Sequence, residues 1–544
     1  MTRIHSFLLL LATVAPCLGA SASTQACRPK PGSNSTAAGF PAGFDGFVES
    51  VLKDLHVPGM SVALVNGNQT FTKAYGYAHL SDKKATPDTI WLGASTTKAF
   101  VGATLSHFIN NKTYPDKLTK GWKTPISDII PDDFVLTDEW ATKHLTLEDA
   151  ISHQTGLPRH DYAWRYSNAN GTERTPIRDV VRTLRHLELV AEPRAAVQYN
   201  NLVYITLSHV IETLAGKPLK TVFKELIWEP LGMNSTFLDV DEAKAAAGDR
   251  MATGYGWHIN NSSFVEIKRD TLQASGAAGI ITTVEDHARW LHSLIDMSGP
   301  LSKAVHKDIR RGRSIFSDQP WVEGGLDVKL YALGWQRTTF FGEELFFHGG
   351  ESLAFGTTMW WIPSRKFGAV AMGSVYEHAN EASVAVIRRL AAEALDVPPE
   401  KRINDLAESI KKMDQLDHNL DTAATDIYPK FDKDNRAPPP AALSALAGTY
   451  EDPGYGPLVF KPTSNSSNFE LLAERPDMLY QYNVRLEHVS GNDWMAWFES
   501  RIASRLPTEV FEAHFTFAGN ASKALTINFF AEPKRYNVTF NKVA

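Results

Sequence analysis

Apolar runs typical of β-strands lie near both ends of the first 395 residues, with helical patterns between them. Residues 60–65 form one such run, which ends at the hairpin signal Asn66-Gly67 before residues 70–77 resume the pattern. Three further runs lie near the end, at residues 345–347, 354–362 and 367–373. Strands at both ends with helices between them predict an α/β domain whose first and last parts share one sheet.

Apolar residues recur at helical spacing in several segments between these runs. The predicted helices cover residues 44–55, 98–110, 147–152, 177–187, 202–215, 219–228 and 284–295. In the second of them, small residues occupy much of the surface that the large apolar residues leave free. We therefore expect that helix to be buried.

The composition changes after residue 395. Residues 396–440 contain a charged helical stretch, a polar segment and three consecutive prolines, which is typical of a linker. Residues 441–544 contain many short apolar runs separated by turn residues, which predicts a small antiparallel β domain. The chain is thus expected to have a main domain at residues 44–395, followed by the linker and the β domain.

Residues 1–22 have the pattern of a secretory signal peptide, because a short apolar segment precedes a run of small residues. A buried N-terminal helix is the alternative. We expect the signal to be removed, a disordered leader at residues 23–43, and a secreted protein. Cys17 would leave with the signal, so that Cys27 remains as the only mature cysteine and no intrachain disulfide can form.

Asn-x-Ser/Thr sequons are more frequent than the roughly three or four that chance composition would give. Their number predicts a eukaryotic secreted glycoprotein, and their spread suggests that many of these segments are surface loops. The candidate glycosylation sites are Asn34, Asn68, Asn111, Asn170, Asn234, Asn260, Asn261, Asn465, Asn520 and Asn537.

The formal net charge is −6, from 55 basic and 61 acidic residues. Without a basic excess, neither nucleic acid nor an acidic membrane surface is an expected partner. After the signal, no apolar run approaches the length of a membrane span, the histidines lack metal-ligand spacing, and no glycine-rich phosphate loop follows a strand. We therefore predict a small-molecule or peptide substrate, no metal and no cofactor, and leave the oligomeric state open.

The motif Ser95-x-x-Lys98 follows an apolar segment at residues 89–94 and begins the predicted buried helix. Residues three apart share a helix face, so the Lys98 amine can reach the Ser95 hydroxyl and help to deprotonate it. The same pattern also starts at Ser50, Ser81 and Ser409. Those copies have polar or charged surroundings that indicate solvated surface, and this context selects Ser95 as the nucleophile.

A Tyr-x-Asn motif, Tyr199-x-Asn201, directly precedes another apolar helix. A competing copy begins at Tyr166, in a polar segment with its own sequon at Asn170. Such a segment is typical of an exposed loop, so we select Tyr199.

His348-Gly349-Gly350 ends the apolar run at residues 345–347. Paired glycines let a substrate backbone lie close against a strand edge, and the amide of the next residue, Glu351, can point into a site.

In chain order, these three motifs resemble the signatures of the serine β-lactamase and penicillin-binding-protein superfamily, closest to its class C β-lactamase, D-aminopeptidase and esterase branch. Supporting stretches lie at residues 57–61, 151–157, 230–236 and 276–280. The resemblance spans about residues 44–395. It implies a β-lactamase/transpeptidase-like fold, with an antiparallel sheet flanked by helices and an all-helical region, and a C-terminal domain similar to the lipocalin-like domains of some relatives.

The resemblance also implies acyl transfer through a covalent Ser95 ester. Lys98 and Tyr199 would share the general-base work, because a tyrosine of ordinary pKa near 10 needs an adjacent ammonium to favour its phenolate. Asn201 would hold the substrate amide and Lys98. The backbone amides of Ser95 and Glu351 would form the oxyanion hole.

His348 departs from the family, which usually has a lysine at this position. A histidine near its reference pKa of about 6.5 is mostly neutral at pH 7, so the resemblance favours peptidases and esterases over a dedicated antibiotic hydrolase. If His348 must be protonated to bind a substrate carboxylate, activity should rise as the pH falls toward about 5. The alternative is a histidine that is merely packed at the strand end.

Three loop residues, Asp161, Tyr162 and Trp164, could line the pocket or could be local anchors. His153 is interpreted as a hydrogen-bonded structural residue. The predicted function is that of a secreted serine hydrolase that acts through an acyl-enzyme on an ester or amide. The alternatives are an acyltransferase or cyclase of a secondary-metabolite pathway, a true β-lactamase, and a catalytically idle binding protein.

Overall fold

The computed structural model describes residues 39–168, 171–258, 262–267, 275–352, 354–429, 432, 434–463, 470–501, 509–519, 521–531 and 534–543. Residues 39–544 form one compact unit. The predicted signal peptide, Cys27 and residues 23–38 of the predicted leader lie outside the described residues. So do the sequons at Asn34, Asn170, Asn260, Asn261, Asn465 and Asn520.

The β-strands fall into two sets, one in each part of the chain. The strands of the first part are β1 (Gly59–Asn66), β2 (Gln69–His79), β3 (Lys83–Lys84), β4 (Trp91–Ala94), β5 (Tyr255–His258), β6 (Ser263–Glu266), β7 (Ile280–Thr282), β8 (Ser314–Ser317), β9 (Lys329–Tyr331), β10 (Gln336–Phe340), β11 (Glu343–Ser352), β12 (Phe355–Ile362) and β13 (Phe367–Ser374). The strands of the second part are β14 (Gly448–Asp452), β15 (Gly456–Pro462), β16 (Leu471–Arg475), β17 (Tyr482–Ser490), β18 (Asp493–Ser500), β19 (Glu509–Ala518), β20 (Ala521–Ala531) and β21 (Lys534–Lys542).

The α-helices lie mostly between β4 and β13. They are α1 (Phe44–Asp54), α2 (Lys98–Asn110), α3 (Glu139–His144), α4 (Leu147–Ile151), α5 (Ile177–Thr183), α6 (Asn201–Ala215), α7 (Leu219–Phe223), α8 (Glu229–Leu231), α9 (Val240–Ala247), α10 (Val284–Asp296), α11 (Lys303–Ile309), α12 (His378–Ala394), α13 (Asp405–Ile427) and α14 (Leu443–Leu446). Among the described residues, none of the helices combines the length and the apolar character that crossing a bilayer requires.

A nine-stranded antiparallel sheet forms the centre of the first part, in the order β3-β2-β1-β13-β12-β11-β10-β9-β8. β1 pairs with β13 from Met60 to Asn66, so the predicted sharing of one sheet by the first and last segments is confirmed. Successive side chains of a strand point to opposite faces. Val62 and Leu64 lie in the core that includes α1 and α12, whereas Ala63 and Val65 lie in the core that includes α2, α6 and α10.

The predicted helix at residues 98–110 has the bounds of α2, and it is buried on nearly all sides as expected. Two other predicted helices change character before their ends. Residues 184–186 continue α5 as a 3-10 turn, and residues 224–228 continue α7 as a π-helical turn.

Most of the segment predicted as a linker is helical. Helix α13 packs along α12, and Met413 reaches the core with only 7% of its surface exposed. Ser409 lies on the same helix and is 4% exposed, so its interpretation as solvated surface is wrong. Met413 and Ser409 thus lie against the core and α12, and Asp405 at the start of α13 pairs with the buried Arg388 of α12 at 2.6 Å.

The second part is a closed antiparallel barrel of eight strands, in which β14 pairs with both β15 and β21. This confirms the predicted β domain and gives it the lipocalin-like architecture that the resemblance implied. Large aromatic side chains fill its interior, including the fully buried Trp494 and Tyr450.

The barrel docks directly on the first part. The turn between β16 and β17 contacts the segment around residues 159–167, where Leu479 N donates to Trp164 O at 2.9 Å. Tyr166 N donates to Asp477 O at 2.9 Å. Tyr166 is 8% exposed, so the expected exposed loop is wrong for this residue, because the barrel covers it.

Candidate active site

Ser95 begins a short 3-10 turn between β4 and α2 and is half-buried. The preceding residue, Ala94, has φ 45° and ψ −127°, a conformation that costs energy for a residue with a side chain. Thr97 Oγ1 donates to Ala94 O at 2.5 Å and holds this turn. The strained turn thus presents the Ser95 hydroxyl at the start of a buried helix, as the sequence predicted.

Lys98 is fully buried, and its amine contacts three oxygens. Nζ donates to Asn201 Oδ1 at 2.8 Å and to Ala277 O at 2.7 Å, and it lies 3.0 Å from Ser95 Oγ. Burial lowers the pKa of Lys98 well below its usual range, the Arg159 charge lowers it further, and Asp161 partly offsets this. A neutral amine has two N–H groups and one lone pair. The two donor contacts therefore leave the lone pair for the Ser95 hydroxyl.

Tyr199 and Asn201 lie at the start of α6, and local sequence explains their placement. Asn200 caps the helix, because its side-chain oxygen accepts from Val203 N at 2.9 Å. Tyr199 directly precedes this cap, and its hydroxyl donates to Ser95 Oγ at 3.0 Å. Burial raises the pKa of Tyr199 to about 12, although the hydrogen bond to Ser95 opposes the rise. Tyr199 is therefore a phenol at neutral pH, which argues against the expected share of a Tyr199 phenolate in the general-base work.

His348 lies on β11 and is 3% exposed, with its Nε2 3.0 Å from the Tyr331 hydroxyl. Burial, together with the nearby Lys98, lowers the pKa of His348 to about 3. The imidazole is thus neutral at pH 5 and above, which gives no support to the rise in activity toward pH 5 that would follow if His348 had to be protonated. Sequence alone could not give this result, because the result depends on burial.

The two glycines after His348 face opposite sides of β11. A methyl group at Gly350 would lie 2.1 Å from Gly93 O and 3.3 Å from Ser95 N, so this edge of β11 lies against the nucleophile turn. A methyl group at Gly349 would face Asn380 instead, at 3.7 Å. Gly350, and not Gly349, therefore makes a close contact with the turn that carries Ser95. The predicted close approach of a substrate backbone to the two glycines stays a prediction.

Sequence reasoning missed Arg159 and left the role of Asp161 open. Asn201 Nδ2 donates to Asp161 at 3.2 Å from each carboxylate oxygen, and Arg159 Nε donates to Asp161 Oδ2 at 2.7 Å. No short motif marks Arg159. The only available signal was its position two residues after the stretch at 151–157, which is one of those that carry the family resemblance.

The remaining candidate residues from the sequence are His153, Tyr162 and Trp164, and the structure shows what each of them contacts. His153 Nδ1 accepts from Asn200 N at 3.2 Å and its ring lies 4.3 Å from that of Tyr199, as expected for a structural residue. Tyr162 and Trp164 contact the barrel, so the anchor interpretation fits them.

Comparison with known proteins agrees with this geometry. The family model described as Beta-lactamase matches residues 44–393. The chain is 36% identical over 414 residues to the unguisins hydrolase of Aspergillus campestris, with 75% of each chain covered. It is 24% identical over 380 residues to the D-aminopeptidase of Brucella anthropi, covering 68% of this chain and 66% of that protein.

Among solved structures, the octameric penicillin-binding protein homologue from Pyrococcus abyssi superimposes with a TM-score of 0.56 at 18% identity. The superposition covers 91% of this chain and 99% of that chain, so the two proteins share their fold. The family match extends over most of the chain and includes the turn that carries Ser95 and Lys98. From this match, the chain belongs to the beta-lactamase family and is a serine hydrolase that acts on ester or amide bonds.

Proposed function

We propose that this protein is a secreted serine hydrolase that cleaves an amide bond of a peptide through an acyl-Ser95 intermediate. The observation that carries the proposal is the position of Ser95 Oγ, which lies 3.0 Å from both the Lys98 amine and the Tyr199 hydroxyl. A base and an acid at one hydroxyl are what acyl transfer needs.

Lys98 is the general base of the first step. Its lowered pKa favours the neutral amine, whose lone pair takes the Ser95 proton as Oγ bonds to the substrate carbonyl carbon. The carbon–nitrogen bond then breaks, and the leaving amine receives a proton from the Tyr199 hydroxyl, which regains one from the Lys98 ammonium. Water next attacks the ester carbonyl and gives a proton to the same pair. The pair passes this proton to Ser95 Oγ as the carbon–oxygen bond breaks, which releases the acid and restores the Ser95 hydroxyl.

The oxyanion of each tetrahedral intermediate would accept hydrogen bonds from the backbone amides of Ser95 and Glu351. The close approach of Gly350 to the Ser95 amide supports this role, because it brings the strand that carries Glu351 alongside the turn. Asn201, held between Lys98 and Asp161, would both orient the base and contact the substrate amide.

The names of two relatives support a peptide substrate, since one is an unguisins hydrolase and the other a D-aminopeptidase. The neutral His348 supports a substrate that has no carboxylate at this position, which argues against β-lactam antibiotics. Secretion is supported by the signal-like residues 1–22 and by the described sequons. The sequon asparagines Asn68, Asn111, Asn234 and Asn537 are all exposed.

The test is intact-protein mass spectrometry after exposure to a fluorophosphonate and to a panel of unguisins, D-amino-acid amides, p-nitrophenyl esters and a cephalosporin. We expect one fluorophosphonate adduct, which Ser95→Ala abolishes, and turnover of at least one peptide amide. Retained labelling of the Ser95→Ala variant contradicts the proposed nucleophile. Turnover of the cephalosporin alone contradicts the proposed substrate class.

A further inference from the structure

Four consecutive residues next to the active site alternate between two surroundings. Arg159 and Asp161 pair with each other at 2.7 Å, and Asp161 also contacts Asn201. His160 and Tyr162, in contrast, contact the barrel. The same short segment therefore belongs to the active site on one side and to the barrel on the other.

The ring of Tyr162 enters an aromatic cluster contributed by four barrel strands. The ring centroids of its neighbours lie between 4.6 and 6.3 Å away, and these neighbours are Tyr482, Phe498, Phe511 and Phe529. The Tyr162 hydroxyl donates to Glu509 Oε2 at 2.6 Å, and the Tyr482 hydroxyl donates to Tyr162 O at 3.1 Å. Aromatic packing on several sides, with hydrogen bonds at the ring tip and at the backbone, fixes the position of this residue.

His160 adds a second anchor. Its Nδ1 lies 2.8 Å from the Tyr455 hydroxyl, and its ring centroid lies 4.9 Å from that of Tyr536. His160 is 2% exposed. With both neighbours of Asp161 held by the barrel, the carboxylate between them has little freedom to move.

Asp161 decides which way the Asn201 amide faces. A carboxylate only accepts hydrogen bonds, so the Asn201 Nδ2 group is directed toward it at 3.2 Å from each oxygen. The opposite end of the amide, Oδ1, then accepts from the Lys98 amine at 2.8 Å. A reversed amide would place two donors against each other at Lys98 and two acceptors against each other at Asp161.

We propose that Asp161 is a positioning residue that orients the Asn201 amide for Lys98, and that the barrel holds Asp161 in place through His160 and Tyr162. The inference rests on the proposed role of Ser95 and Lys98. It makes the C-terminal barrel part of the catalytic apparatus, although no barrel residue needs to touch the substrate.

The charge of Asp161 also provides a readout that a purely structural residue would lack. The titratable and charged groups around the Lys98 amine are His153, Arg159, Asp161, Tyr199, Tyr204 and His348. Of these, Asp161 favours the ammonium and raises the pKa of Lys98. Loss of this carboxylate lowers the pKa of Lys98. The labelling rate requires the neutral amine, so its decrease at low pH, called the acidic limb here, moves to lower pH.

The experiment measures the second-order rate constant of fluorophosphonate labelling between pH 5 and 9, which requires no knowledge of the substrate. We expect Asp161→Ala to label on the order of 100-fold more slowly, since a misplacement of about 1 Å at a reacting group has that effect. Asp161→Asn keeps an accepting oxygen and should lose much less, while both variants move the acidic limb to lower pH.

The barrel is tested with Tyr162→Ala and a matched control, Phe515→Ala. Phe515 is 1% exposed in the barrel core and contacts Tyr450 and Trp494, so its loss weakens the barrel away from the active site. Both variants should lower the melting temperature, but only Tyr162→Ala should slow labelling of the folded protein. Both changes act through the contact of Asp161 with Asn201. The double variant Asp161→Ala/Tyr162→Ala should therefore label no more slowly than the single variant Asp161→Ala.

Each part of the inference can fail separately. If Ser95→Ala removes labelling but Asp161→Ala labels at the wild-type rate with an unmoved acidic limb, the positioning role of Asp161 is overturned. If Tyr162→Ala labels no more slowly than Phe515→Ala, the role of the barrel is overturned. Labelling that persists in Ser95→Ala contradicts the proposed function itself.

Discussion

Gly350 lies so close to Gly93 that a single added carbon atom would stand 2.1 Å from the Gly93 carbonyl oxygen. No rotamer change can relieve this overlap, because the position of a Cβ is fixed by its own backbone and the oxygen that it meets is a backbone atom. The contact joins the strand edge that carries Glu351 to the turn that carries Ser95, and so it fixes the distance between the two proposed oxyanion-hole amides.

Replacement of Gly350 by alanine should therefore reduce fluorophosphonate labelling on the order of 100-fold, since it separates the strand from the turn. The adjacent Gly349→Ala serves as the comparison, because its added carbon would be in ordinary contact with Asn380 at 3.7 Å. Labelling kinetics of the two variants test this directly. Equal effects of the two substitutions would contradict the assignment of opposite faces.

Lys98→Arg should slow labelling by about 10²- to 10⁴-fold, the range that general acid–base catalysis typically contributes. Arginine remains charged at every accessible pH and cannot act as the base. Lys53→Arg is the matched control, because Lys53 belongs to another Ser-x-x-Lys copy, on the exposed side of α1. The prediction fails if Lys98→Arg keeps the wild-type rate at pH 8.

The pH dependence of the labelling rate should show no change that is caused by titration of His348. Its pKa of about 3 lies below the range of assay, so the imidazole stays neutral from pH 5 to 8 and its charge does not change there. The labelling profiles of the wild type and of His348→Gln should therefore run parallel over this range. A limb near pH 6 that disappears in the variant would show that His348 titrates during catalysis.

A stability prediction concerns Asp133, which lies in the helical region. Burial raises the pKa of Asp133, but hydrogen bonds from His209, Arg178 and Arg182 outweigh this and hold it well below its usual range. Asp133→Asn should lower the free energy of unfolding at pH 7 by about 2 kcal/mol, since hydrogen bonds to a charged group contribute about 1.5–3 kcal/mol.

The pH dependence of this loss has a defined sign. A carboxyl whose pKa is depressed in the folded state stabilises the protein above its unfolded pKa of about 3.9, and this contribution disappears as the pH falls toward the folded value. Urea unfolding should therefore show a difference between wild type and Asp133→Asn that shrinks below about pH 4. The exposed neighbour Asp132 provides the control, and Asp132→Asn should have little effect at either pH.

Local sequence patterns predicted the parts of the site that local structure places. Ser95 and Lys98 share the first turns of a helix whose bounds apolar spacing predicts, and the Tyr199 motif sits beside an asparagine that caps α6. Sequence also predicted that the first and last segments of the main domain share one sheet, because strand-like runs lie at both ends with helices between them, but it did not predict the strand order.

The rest depends on contacts between residues distant in the chain. Asp161 acquires its surroundings from His160 and Tyr162, whose partners Tyr455 and Glu509 lie 295 and 347 residues further along the chain. The neutral state of His348 depends on burial by several elements, and no pattern near residue 348 reports it. Sequence reasoning therefore proposed the reacting groups, and Asn201 as a residue that holds Lys98, but not the role of Asp161 or its neighbours' contacts with the barrel.

The pairing of β1 with β13 has a consequence for biosynthesis. About 300 residues separate the two strands, and at typical elongation rates of about 5–20 residues per second the ribosome needs roughly 15–60 s to reach the second strand. During that time the β1–β2 hairpin has an unsatisfied edge, which is a site for aggregation. The nascent chain should therefore depend on chaperones until residue 374 has emerged.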